Sequence, residues 1–152
     1  MAIDPDAPTP VRARWFSTDD PATIARLALR PRALCWVVGT DDLEAIVAAG
    51  PFDLGEIIYI TRGERTWGLT VLSDGHLPWA GLLPAFIEWS PGPHPGTAQQ
   101  DLGVRLDINH PDPTSYRQLP DRLHVGHLAG IAEGEAALSF HLAAPNGTVV
   151  VD

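Results

Sequence analysis

The chain of 152 residues contains no lysine; its ten basic side chains other than histidine are all arginine. That absence excludes Schiff-base chemistry and a P-loop lysine. A GC-rich genome accounts for it without any functional cause. Cysteine is almost as scarce. Cys35 stands alone, so there is no internal disulfide, no CxxC redox pair and no cysteine zinc cluster. Inside the apolar string ALCWVV it reads as a buried, inert thiol and not as a nucleophile. No apolar run approaches the roughly 18 residues of a membrane helix. The opening MAIDPDAPTP has neither a basic n-region nor an apolar h-region. These absences give the expectation of a cytoplasmic protein. Positive charge is short too: the net charge of −9 argues against nucleic acid and against anionic membrane surfaces as partners. Neither HExxH nor G-x-S-x-G occurs, and no two histidines stand at i, i+4 on a predicted helix.

What is present has a repeated order. Ala33 to Thr40 (ALCWVVGT) predicts a short apolar strand. Asp41 and Asp42 can cap the helix that follows, in which Leu43, Ile46 and Val47 fall at helical spacing and which Gly50-Pro51 stops. Three strands are predicted next, at Glu56 to Arg62, Thr66 to Leu72 and Leu83 to Trp89. A second β-α-β-β-β series repeats the order, with strands at Val104 to Asn109, Leu128 to Glu133, Ala136 to Leu142 and Thr148 to Val151. Its helix runs from Thr114 to Leu123, and Asn146-Gly147 makes the last hairpin turn. Aligning Thr40-Asp41-Asp42-Leu43 with His110-Pro111-Asp112-Pro113 shifts the chain by 70 positions. The fold expected is α+β: two βαβββ units, about 33–90 and 104–152, forming curved mixed or antiparallel sheets with helices on the outer face. Residues 1–20 read as a Pro-rich arm and 21–152 as the domain.

The segment Leu83 to Pro95, LPAFIEWSPGPHP, carries most of the chemistry. Glu88 interrupts an apolar strand on the face of Phe86, because side chains two apart share a face. A carboxylate there costs several kcal/mol unless something pairs with it. The chain then breaks at Pro91, Gly92, Pro93 and Pro95. Arg62 and Arg65 flank the preceding hairpin and could reach Glu88 or an acidic ligand group through a forked hydrogen bond. Trp36, Trp67, Trp89 and Tyr59 fall on strands, where such residues more often build a core than a site. The expectation is that Arg62, Trp67 and Glu88 face one concave surface, Glu88 as the catalytic group and Arg62, Trp67 and Trp36 as ligand-binding residues. His76, His94 and His110 read as loop residues. His124, His127 and His141 lie in or beside predicted elements and read as structural.

Several strings together resemble glyoxalase-like domain proteins of the vicinal oxygen chelate superfamily. They are WVVGTDDLEA from Trp36 to Ala45, Asp53-Leu54-Gly55, TRGERTW from Thr61 to Trp67, Asp74 to Pro78 (DGHLP), and Pro84 to Pro95. The likeness runs from about Trp15 to Asp152. It implies lyase, isomerase or dioxygenase chemistry on a small oxygenated molecule, and a divalent metal held by His and Glu on the first and last strands of the units. Here the first-strand positions are Trp36 and Leu106, and only Glu88 fits, so no metal ligand set is assigned and any cofactor stays open. The family's usual opening β-α-β-β segment has no counterpart around Ala2 to Pro5, so the chain reads as an N-terminally shortened member or a natural short form. A missing unit exposes a strand edge, which leads to the expectation of a homodimer. Three functions remain open: an enzyme-derived protein acting on a small oxygenated molecule, a metal-free binding or sequestering protein, and a fragment that folds only by dimerising.

Overall fold

The computed structural model describes residues 6, 8, 10–90, 92–101 and 103–152. Ile3 and Pro5 of the predicted arm, and Pro91 of the break after the Glu88 strand, lie outside the described residues. Helix α1 (Pro21–Leu29) comes first, followed by β1 (Val37–Gly39), α2 (Leu43–Ala49), β2 (Glu56–Arg62), β3 (Arg65–Val71) and β4 (Ala85–Ser90). The second series is β5 (Arg105–His110), α3 (Pro113–Arg122), β6 (Ala129–Glu133), β7 (Ala137–Ala144) and β8 (Gly147–Val151). The α+β class and the βαβββ order of both units are as expected. Helix α1 was not anticipated, although its signal is in the chain: Asp20 accepts the Ala22 and Thr23 amides as N-cap, and Pro21 fills the first helical position.

The shift of 70 positions has a physical basis. Asp42 caps α2 by accepting the Ala45 amide, and Asp112, 70 residues on, caps α3 by accepting the Ser115 amide. Strand pairing, in contrast, does not repeat. The first sheet runs β1-β4-β3-β2, with β1 at the edge and parallel to β4. The second runs β6-β5-β7-β8, which puts its first strand inside, parallel to β6 and antiparallel to β7. The chain crosses the end of β5 between β6 and β7. Gly134 allows this passage: its amide donates to the His110 carbonyl, and a Cβ there would meet the Asn109 Cβ at 3.2 Å.

Each sheet carries one helix on one face, α2 against β3 and β4, α3 against β5 and β6. One buried cluster joins the two units. It holds Trp36, Leu43, Leu54, Leu83 and Phe86 of the first, with Leu106, Ile108, Tyr116, Leu123 and Leu138 of the second. At the junction, the Leu82 carbonyl accepts both the Trp36 indole Nε1–H (2.9 Å) and the Tyr116 hydroxyl. Burial of Tyr116 pushes its phenol pKa far up, so it remains a donor at any working pH.

The helix caps predict how acid acts. Hydrogen bonds from the Thr23 hydroxyl and amide hold Asp20 below the usual carboxylate value of 3.8, and the Ser115 backbone and side chain do the same for Asp112. A carboxyl depressed in the folded state binds fewer protons folded than unfolded. Its stabilisation is full above the unfolded pKa and is lost as pH falls below it. Thermal melts are expected to hold level down to about pH 4 and to drop beneath it. Equal melting temperatures on both sides of that point would contradict the capping roles.

Candidate functional site

Register decides which side chains share a face. In an antiparallel pair, residues directly opposite project to the same side. Ile60 pairs with Trp67 and Arg62 with Arg65, and Trp67 in turn pairs with Trp89. Arg62, Arg65, Trp67 and Trp89 therefore lie on one face of the first sheet, with Ile58, Leu69 and Ile87. This is the face away from α2. A second, smaller apolar cluster forms there from Leu69, Val71 and Ala85, and Trp15 and Phe16 from the segment before α1 pack on it.

At the open end of this face the two indoles of Trp67 and Trp89 lie 5.0 Å apart at 33°. His94 stands edge-on to Trp89 at 5.4 Å, its Nδ1 accepting the Gly96 amide. The Nε1–H of Trp89 is buried and meets no acceptor among the described residues. An unmet buried donor costs about 1–3 kcal/mol. Arg62 and Arg65, both exposed, supply positive charge beside the aromatic pair on a protein that is otherwise strongly acidic. Arg62 is the diagonal neighbour of Trp67 across the ladder, within reach of one ligand touching both. The chemistry on offer is a half-buried indole surface and a guanidinium fork for an anionic oxygen.

Of the expected grouping of Arg62, Trp67 and Glu88, two residues share a face and the third does not. Arg62 and Trp67 share the open face, while Glu88 pairs with Gly68 and points to the opposite face, toward α2. There its Oε2 accepts the Leu43 amide at 2.8 Å, beside the Asp42 cap. This is what pairs the carboxylate on the oily strand: a free amide and the positive end of a helix. Glu88→Ala is expected to destabilise the fold by about 1 kcal/mol, measured by urea unfolding. A variant as stable as the native chain would remove that role. Trp36 is also set apart from the open face. It is 5% exposed, belongs to the shared core, and has its indole N–H satisfied by Leu82.

Trp89, Trp15 and Phe16 also belong to this face, beyond the residues expected there from the sequence. Trp89 was visible through period-two alternation, since Ala85, Ile87 and Trp89 form one stripe and Phe86 and Glu88 the other. Trp15 and Phe16 sit in a stretch read as an arm, and no local pattern shows where they dock. Of the loop histidines, His110 stacks on Tyr116 at 5.2 Å, and its Nδ1 lies 3.0 Å from the Asp112 amide. His76 lies 3.5 Å from the Ser17 hydroxyl. On the second sheet, His141 Nε2 lies 3.1 Å from Asp107 and 3.4 Å from Ser139 Oγ. Both partners meet the same ring nitrogen, so this trio cannot relay a proton from serine through histidine to aspartate, which needs the two nitrogens separately. Burial pushes the Cys35 thiol up to about 11, which keeps it a poor nucleophile at neutral pH.

Residues 1–123 match the family defined as the glyoxalase-like domain. The chain belongs to that family. The match spans the whole first sheet together with β5 and α3, and it ends before β6. The likeness read from the strings began later, near Trp15, and ran on to Asp152. No curated protein and no solved structure matches the chain. This glyoxalase-like chain does not fit the divalent metal that its superfamily resemblance implies. Among the described residues no three His, Cys, Asp or Glu side chains come together. Trp36 and Leu106, at the first-strand positions, are packed in the core, and Glu88 is engaged with α2.

Proposed function

We propose that this glyoxalase-like protein binds a small oxygenated organic molecule on the open face of its first sheet, as a binding or sequestering protein. The observation that carries the reading is the Trp67–Trp89 pair on the same face as Arg62. A flat ring fits against the indoles, and an anionic oxygen fits the guanidinium. The ligand class is therefore an aromatic or conjugated acid. The reading includes a homodimer. Strand β1 is three residues long and lies at a sheet edge with Val37 exposed, which suits pairing with a second copy.

Isothermal titration with salicylate and its neutral analogue salicylamide tests the ligand class. The acid is expected to bind at least about tenfold tighter, the equivalent of one charge-assisted hydrogen bond. Equal binding of the two, or none of either, would refute the reading.

A further inference from the structure

A cavity of about 390 Å³ has none of Arg62, Trp67 or Trp89 in its lining. Thr23 and Arg26 of α1, the link from Arg32 to Leu34, the loop from His76 to Leu82, the start of β7 and Asp152 enclose it. Its size is that of a site for a small molecule. Three independent features converge on it.

The first is conformational. Phe16 and Ser17 take φ of 63° and 55°, and Trp79 and Ala80 take 47° and 52°. Consecutive non-glycine residues in the left-handed region are uncommon, and they concentrate where a ligand is clamped. Ser17 and Ala80 both line the cavity. Gly81 continues the second turn at φ 94°, where a Cβ would meet the Leu34 carbonyl oxygen at 1.8 Å, so only glycine closes this wall.

The second feature is a buried donor without a hydrogen-bond partner. The Nε–H of Arg32 is buried and finds no acceptor among the described residues. The acids nearby are already engaged. Asp20 takes the Thr23 amide and hydroxyl, at 2.9 and 2.7 Å. Asp152 is held by both guanidinium nitrogens of Arg30. Arg26 and Arg32 line the cavity with Asp20 and Asp152. Asp152 is paired with Arg30, which lies outside the lining, so Arg26 and Arg32 stand against Asp20 and leave one positive charge. One negative charge balances it; a doubly charged phosphate meets the two aspartates.

The third is the lining. Beyond the polar end, the walls are aliphatic, with Leu34, Leu77, Leu82 and Leu138 among them. That surface selects an apolar body and not a second polar group.

We propose that this cavity binds a small aliphatic monocarboxylate, its carboxylate on Arg32 and its chain among the leucines. Titration of the full chain with hexanoate, followed by calorimetry, tests this. Binding with a Kd of about 1 mM or tighter is expected, and hexanoate is to exceed acetate by at least about tenfold because its added methylenes enter the aliphatic end. Arg32→Met is to weaken hexanoate about tenfold. Arg32→Lys, which keeps the charge and lacks the forked donor, is to weaken it as well. Circular dichroism and melting of each variant confirm that it is folded. Trp67→Ala, outside this lining, is to leave hexanoate affinity unchanged, which keeps this site's success or failure separate from that of the sheet. Acetate binding as well as hexanoate, inorganic phosphate displacing hexanoate, or a folded Arg32→Lys binding like the native protein would each overturn the proposal.

Discussion

Trp36→Ala is expected to cost about 3–5 kcal/mol of folding free energy, the range for removing a buried tryptophan. The side chain is 5% exposed and sits where the two units meet. Its loss opens a cavity in the shared core and also deletes the donor to the Leu82 carbonyl. Tyr116 donates to that same oxygen from α3, so one substitution weakens the contact between the halves. Trp36→Phe, which keeps most of the volume and loses the indole N–H, is expected to cost less, about 1–2 kcal/mol. Urea unfolding measures both. A loss below about 1 kcal/mol for Trp36→Ala, combined with weaker ligand binding, would return Trp36 to the role of a ligand residue first expected of it.

The second large effect lies on the other side of the sheet. Trp67→Ala is expected to lower salicylate affinity by about tenfold or more while leaving the fold intact. Removing it takes away half of the indole platform and the partner that orients Trp89. An aromatic pair of this kind is worth about 0.5–1.5 kcal/mol beyond its buried area. Stability falls less than for Trp36, because Trp67 is half-buried at the margin of the smaller cluster. Arg62→Gln on the same face is expected to weaken salicylate and not salicylamide. Calorimetric titration of both variants with both ligands separates the stacking contribution from the charge. Native affinity in Trp67→Ala would take the ligand off this face.

Element order was legible because it depends on local signals. Period-two and period-3.6 spacing, aspartate caps and Gly-Pro stops placed nearly every strand and helix after Ala33. The repeat held at the level where it was encoded: Asp42 and Asp112 both begin helices. Strand pairing was not legible. The same βαβββ order gives β1-β4-β3-β2 once and β6-β5-β7-β8 once, and the difference is made by long-range packing and by a crossing at Gly134, not by any run of residues. Which side chains share a face depends on the same register, and Arg62 and Trp67 share one because a single hairpin sets them. Glu88 was grouped with them by its strangeness on an apolar strand. Its partner, the Leu43 amide, is 45 residues away in sequence. A charged residue on an oily strand signals that something answers it; it does not say whether that is a ligand or a helix end.

The central claim is that ligand is held on the Trp67–Trp89 face and not at Trp36 or at the Glu88 side. The most direct measurement is the set of indole N–H resonances of the five tryptophans during a salicylate titration by two-dimensional NMR. Trp67 and Trp89 are expected to shift together along one binding curve while Trp36 stays in place. Movement of Trp36 with Trp67 and Trp89 unchanged would contradict it.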